Sequence, residues 1–114
     1  MFKVFEENGK VNFVDSNNVL VGFDTNQKCC ELFDWELSAE ESELSEYNFD
    51  PSYLEESEEA DKTSNERVRS IAKFKLICEG KPEHYLTLHN SHNGYYSHKF
   101  EMRKDDLMYH VGSV

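Results

Sequence analysis

The sequence predicts an α+β domain: a mainly antiparallel sheet with one or two short helices over 38–47, in a single domain spanning 1–114. Three observations predict it. Asn-Gly pairs at 8–9 and 93–94 sit between alternating runs, a hairpin signal because both residues of such a pair tolerate positive φ. The C-terminal half alternates apolar and polar residues with period two. Between these regions, Ser38 with Glu41 three residues on makes a capping-box pattern.

Residues 2–24 read as three short strands. "FKVFEENGKVNFV" is a hairpin turning at Asn8-Gly9, "DSNN" turns the chain again, and Val19, Val21 and Phe23 then share one face of the third strand. The capping box opens a short helix in "SAEESELSEY", and Pro51 limits it by disfavouring helical geometry at Asp50. "EESEEADKTSNE" has no apolar periodicity and reads as a mobile loop. The remainder reads as a meander of three longer strands. Val68, Ala72, Phe74, Leu76 and Cys78 fall on one face of the first, against Arg67, Arg69, Lys73 and Lys75 on the other. His84, Leu86 and Leu88 oppose Tyr85, Thr87 and His89 in the second. Tyr96, His98, Phe100 and Met102 oppose Tyr95, Ser97, Lys99, Glu101 and Arg103 in the third.

A chain of 114 residues with eight Phe and six Tyr suits one hydrophobic core. No apolar run approaches the roughly 18–20 residues of a membrane span, and "MFKVFEENGK" has no signal-peptide core. The expected compartment is cytoplasmic, with reduced thiols and no membrane partner. Net charge is −11, unevenly placed. Residues 31–66 hold fourteen acids and one base, which gives −13, and the remaining nine acids and eleven bases give +2. An acidic, partly mobile segment at about 38–66 therefore sits on a nearly neutral body. Such a segment repels nucleic acid and attracts basic surfaces.

Two stretches, "VGFDTNQKCCE" at 21–31 and "LTLHNSHNGYYSHKFEM" at 86–102, together resemble an uncharacterised domain family of small bacterial and bacteriophage proteins. Its marks are a Cys-Cys-Glu element, here Cys29, Cys30 and Glu31, an acidic middle, and a late Asn-Gly-Tyr-Tyr-Ser turn, here Asn93 to Ser97. Members often carry His or Asp just before the cysteines. This chain departs from that pattern with Asn26, Gln27 and Lys28. The resemblance implies no established activity.

Cys29 and Cys30 admit four readings. Structural zinc sites space their thiolates as C-x₂₋₄-C, which adjacent cysteines do not meet. His84, His89, His92 and His98 could add ligands, but alternation sends His84 and His98 to one face and His89 to the other. A vicinal disulfide would be strained, because neighbouring α-carbons lie about 3.8 Å apart, and would suit a redox switch rather than a staple. A nucleophile needs a base near a low-pKa thiolate, and Glu31 would raise the thiol pKa. The leading reading is packing at a turn, with incidental redox sensitivity. Cys29, Cys30, His89 and His92 are the redox or metal candidates, and no catalytic residue and no cofactor is expected.

The bases Arg67, Arg69, Lys73, Lys75, Lys99 and Arg103, with Tyr85 and Tyr95, look like a single-strand nucleic-acid platform. The acidic segment of the same chain would compete for it, so direct nucleic-acid binding is not expected. The leading expectation is a non-enzymatic protein-binding module that contacts a basic protein surface through Glu55, Glu56, Glu58 and Glu59, with Tyr95 and Tyr96 as further binding candidates. A modulator that mimics nucleic-acid charge is one form of it. The rival is a thiol- or metal-dependent protein using Cys29, Cys30 and the histidines.

Overall fold

The computed structural model of the chain describes residues 1–26, 32–60, 68–92 and 98–114. Asn8 and Gly9 have φ of 53° and 74°, as a type I′ turn requires. They join β1 (Lys3–Glu7) to β2 (Lys10–Val14). A Cβ at Gly9 would collide with the Asn26 side chain as well as strain the turn. The next turn is held by Asp15, which is 2% exposed. Its Oδ1 accepts the N–H groups of Asn17 and Val19, both at 2.9 Å, and its Oδ2 accepts that of Phe49 at 2.8 Å. Val19 begins β3 (Val19–Asp24).

Five further strands follow: β4 (Leu32–Leu37), β5 (Asn48–Phe49), β6 (Glu55–Ala60), β7 (Val68–Ile77) and β8 (His84–His92). The chain ends in β9 (Lys99–Lys104) and β10 (Leu107–Ser113), joined by Asp105-Asp106 with Asp105 at φ 52°. Two antiparallel sheets result. The first has the order β1-β2-β3-β9-β10, and the second the order β4-β8-β7-β5. In the second, β7 shares one edge between two short strands: β5 lies opposite Leu76 and Ile77, and β6 opposite Val68 to Lys73.

One hydrophobic cluster draws on the inner faces of both sheets. In the first sheet, Val11, Phe23 and Phe100 line up across three strands, as do Phe13, Val21 and Met102. The second contributes Ala72, Phe74, Leu76, Leu86 and Leu88, all fully buried. Aromatic rings lock the layers together. Phe13 meets Trp35 edge-on at 4.9 Å between centroids, Phe74 meets Phe100 at 5.5 Å, and Phe23 meets Phe33 at 6.2 Å.

The fold is thus nearly all antiparallel β, and the α+β expectation is corrected. The helix expected over 38–47 is a single 3-10 turn, Glu41–Leu44. Its N-cap is Glu40, with no side-chain cap, because Ser38 is engaged elsewhere. The Ser38 hydroxyl oxygen accepts the Tyr85 N–H at 2.8 Å and lies 2.9 Å from His84 Nδ1. Between Ala39 and Tyr47 only Leu44 is an apolar residue, and it is buried. One inward residue secures one turn and gives no apolar stripe for a longer helix.

The segment at 55–60, expected as a mobile loop, is strand β6, paired with β7 over six positions. Its order comes from backbone pairing at a sheet edge, which needs no apolar alternation. The expected three-strand meander is also corrected. β7 pairs β8, but β9 crosses to the first sheet, between β3 and β10. The inward assignments of Ala72, Phe74, Leu76, Leu86, Leu88, Phe100 and Met102 hold. The second Asn-Gly turn, at 93–94, lies outside the described residues.

Candidate functional site

The crossing of β9 divides the basic face that alternation put together. Lys73 and Lys75 stand on the outer face of the second sheet, while Lys99 and Arg103 belong to the first. The six bases therefore do not form one platform. Those on β7 are also occupied. Lys75 Nζ sits 4.4 Å from the centroid of the Tyr53 ring and 3.5 Å from Glu83, and Lys73 Nζ lies 5.2 Å from the Tyr85 ring. The Tyr85 ring, a candidate for stacking bases, thus has one of the chain's own ammonium groups over it, as does the Tyr53 ring beside it. Arg67 and Tyr95 lie outside the described residues.

Acids line both edges of the second sheet, Asp34 and Glu36 on β4 and a denser run on β6. β6 lies at its outer edge, and Glu55, Glu56 and Glu58 are all exposed. Alternation splits them. Glu55 lies opposite Lys73 in the β6–β7 register, while Glu56 and Glu58 lie opposite the inward-facing Ala72 and Ser70. Inward acids at a strand edge also discourage further strand pairing. With Ser57, Ser70, Ile71 and Ser113, Glu56 and Glu58 line a shallow depression of about 400 Å³.

Its wall on the other sheet depends on Gly112. A Cβ there would lie 2.6 Å from Phe100 Cζ and 2.7 Å from Glu56 Oε1, so the missing side chain lets this carboxylate approach β10. Glu55 is positioned by Tyr53, whose hydroxyl donates to Oε2 at 2.5 Å. That bond favours the protonated phenol, and with lesser help from desolvation and nearby carboxylates it pushes the Tyr53 pKa up to about 12. The backbone of Glu59 continues the strand opposite Arg69.

Of the redox and metal candidates, only His89 has a described side chain. Cys29 and Cys30 lie outside the described residues, as do Tyr95 and Tyr96, and the backbone of His92 ends β8. His89 stands on the outer face between Asp34 on β4 and Ile71 on β7. Burial and then the Arg69 charge hold its pKa below 6.5, against Asp34 and Glu36. Among the described residues, no group of three or more His, Cys, Asp or Glu side chains could hold a metal ion. His98 is the hydrogen-bonded core histidine that its place beside Phe100 suggests. It is fully buried, with Nδ1 2.6 Å from the Asp24 carbonyl oxygen. A carbonyl only accepts, so Nδ1 carries the proton.

Sequence reasoning missed three contributors. Asp15 was legible only as a turn former, although Asp heading "DSNN" is the pattern by which a carboxylate caps following backbone N–H groups. Tyr53 gave no signal, and Ser38 gave a misleading one, because its partner Tyr85 lies on a strand whose pairing the pattern does not reveal.

The geometry defines a class of protein: an all-antiparallel β domain of two packed sheets with an acidic outer edge. The domain of unknown function DUF7448 matches residues 1–102, and the chain belongs to that family. No curated protein and no solved structure matches it. Among the described residues, no helix is long and apolar enough to cross a membrane.

Proposed function

We propose that the protein is a non-enzymatic binding module whose acidic β6 edge, centred on Glu55, Glu56 and Glu58 with Glu59 beside them, takes a basic surface of another protein. The observation that carries this reading is the place of β6: an outer strand with Glu55 on one face, Glu56 and Glu58 on the other, and all three in solvent. Carboxylates at strand spacing are held on a paired backbone, so their separation is fixed before a partner arrives. This lowers the ordering cost of binding. Charge complementarity would raise the association rate and make affinity fall with salt.

Two of the neighbouring bases are turned to other groups. Lys75 is turned to Tyr53 and Glu83, and Lys73 toward Tyr85. Nucleic acid is a poor partner on this reading, since the positive groups are divided between two sheets and the exposed edge repels phosphate. In its most specific form, the module belongs to a bacterial or bacteriophage setting. There the edge imitates the charge of nucleic acid and blocks a nucleic-acid-binding protein.

A comparative pull-down tests the reading. Bait protein is presented as wild type and as Glu55→Gln/Glu56→Gln/Glu58→Gln to a lysate of the organism that encodes the chain. The expected result is a basic protein retained by wild type, released by salt, and lost from the variant. Equal retention by both baits would rule out the acidic edge as the contact.

A further inference from the structure

β1 is the other outer strand of the first sheet, at the opposite end from β10. Among the described residues its neighbour is β2 alone. Glu7 and Lys10 flank the two-residue turn and form the hydrogen-bonded pair beside it, and Phe5 with Asn12 and Lys3 with Val14 repeat that pairing. The N–H and C=O groups of Val4 and Glu6 therefore point away from β2, along an open edge. On the outer face of the same strand stand Lys3, Phe5 and Glu7, all exposed, with Phe5 at 39%. Among the described residues, Lys3 and Glu7 have no ion-pair partner.

From these observations we infer that β1 is a self-association edge whose occupant is the β1 strand of a second copy, paired antiparallel about a twofold axis at Phe5. In that register Lys3 lies opposite the partner copy's Glu7, and Glu7 opposite its Lys3. Phe5 lies opposite itself, and Val4 opposite Glu6. Two opposite-charge pairs flank one aromatic pair, each a stabilising cross-strand combination. The Val4 and Glu6 backbone groups complete the ladder. A slip by one step, centred on Glu6, would place Glu6 against Glu6 and Phe5 against Glu7, so the charges select the register.

The other described edges lack this self-complementarity. β4 and β6 carry acids and no base, and β10 carries no ionised side chain along 107–109 or 111–113 and is broken by an irregularity between Met108 and His110. An isologous contact at β1 uses one patch on both copies and closes at two. It leaves β6 open on each copy, so it stands apart from the binding role proposed above.

Sedimentation equilibrium across micromolar to millimolar concentrations tests the inference. The expected result is a reversible shift from 13.4 kDa toward twice that mass. Lys3→Glu and Glu7→Lys should each weaken association about tenfold, since each turns both cross-strand pairs repulsive. The double variant Lys3→Glu/Glu7→Lys should restore it, with circular dichroism unchanged throughout. In a Cys29→Ser/Cys30→Ser/Cys78→Ser background, Phe5→Cys should form a covalent dimer on oxidation. Directly opposed, non-hydrogen-bonded residues lie about 4.5 Å apart at Cα, within disulfide reach. Glu79→Cys in the same background, exposed and far from β1 in sequence, is the control and should stay monomeric. A wild-type protein that is monomeric at every concentration would overturn the inference. So would equal cross-linking at positions 5 and 79, or a charge-reversed double variant no better than the singles.

Discussion

Asp15 ties the first sheet to the second with one side chain, and its removal perturbs the fold sharply. The carboxylate is buried and accepts three backbone N–H groups: those of Asn17 and Val19 in the β2–β3 turn, and that of Phe49 in β5. A hydrogen bond to a charged group contributes about 1.5–3 kcal/mol, and a buried donor left without an acceptor costs more than a solvated one. The three bonds share one carboxylate and do not add fully, so Asp15→Ala should cost about 3–5 kcal/mol. At about 4 °C per kcal/mol for a domain of this size, the melting temperature should fall by roughly 12–20 °C.

Asp15→Asn separates the two arms. Its remaining carbonyl oxygen can still accept from Asn17 and Val19, but its amide would face the Phe49 N–H donor to donor, so it should lose about half as much. Urea unfolding followed by fluorescence of Trp35 is the assay. Trp35 is the one tryptophan, and its ring packs on Phe13 of the opposite sheet, so its signal reports separation of the layers. A loss below about 1 kcal/mol for Asp15→Ala, with an unchanged denaturant slope, would refute the claim that this carboxylate holds the sheets together.

Three further outcomes follow from the structure. Phe74→Ala, which empties a fully buried site between Phe49 and Phe100, should cost about 3–5 kcal/mol in the same unfolding assay. Glu55→Gln should bring the Tyr53 phenol down from about 12 toward 10, seen as one tyrosine moving to lower pH in an ultraviolet titration. An unmoved profile would show that the carboxylate is not its partner. His89 has a folded pKa below its unfolded value, so the unfolded chain takes up a proton first as pH falls. Stability is therefore full above the unfolded pKa of about 6.5 and is lost progressively as pH drops toward the folded pKa. Wild type should lose more stability than His89→Gln between about pH 7.5 and pH 5, and equal losses would contradict the assignment.

What was legible in the sequence was local. Asn8-Gly9 announced its hairpin because only a few residue types accept two successive positive φ angles. The inward residues of β7, β8 and β9 were legible because a half-buried strand must alternate. Pairing between distant segments was not legible. β9 alternates as regularly as β7 and β8, and nothing in that pattern says it leaves their sheet for the first one.

Charged edges were equally silent. Glu55 to Ala60 has the composition of a solvated loop, yet β7 gives its backbone a partner. The capping box misled because Ser38 and Glu41 fit the motif while Ser38 bonds a neighbouring strand instead. The acidic side of the site was therefore legible as composition, and its fixed geometry was not. β4, β5 and β10 went unread for related reasons: β5 is two residues long, and β10 mixes apolar and polar residues around an irregular step.

The proposed binding role rests on position rather than on total charge, and one titration separates the two. Calorimetric affinity for a short lysine-rich peptide, read at low and at moderate salt, is compared among three proteins. These are wild type, the edge variant Glu55→Gln/Glu56→Gln/Glu58→Gln, and a turn variant Glu40→Gln/Glu41→Gln/Glu43→Gln. The two variants lose the same three charges, one set from β6 and one from around the exposed 3-10 turn. The account predicts that the edge variant loses about tenfold or more in affinity and most of its salt dependence, while the turn variant stays within about threefold of wild type. Equal losses in the two variants would reduce the edge to net charge alone and contradict the account.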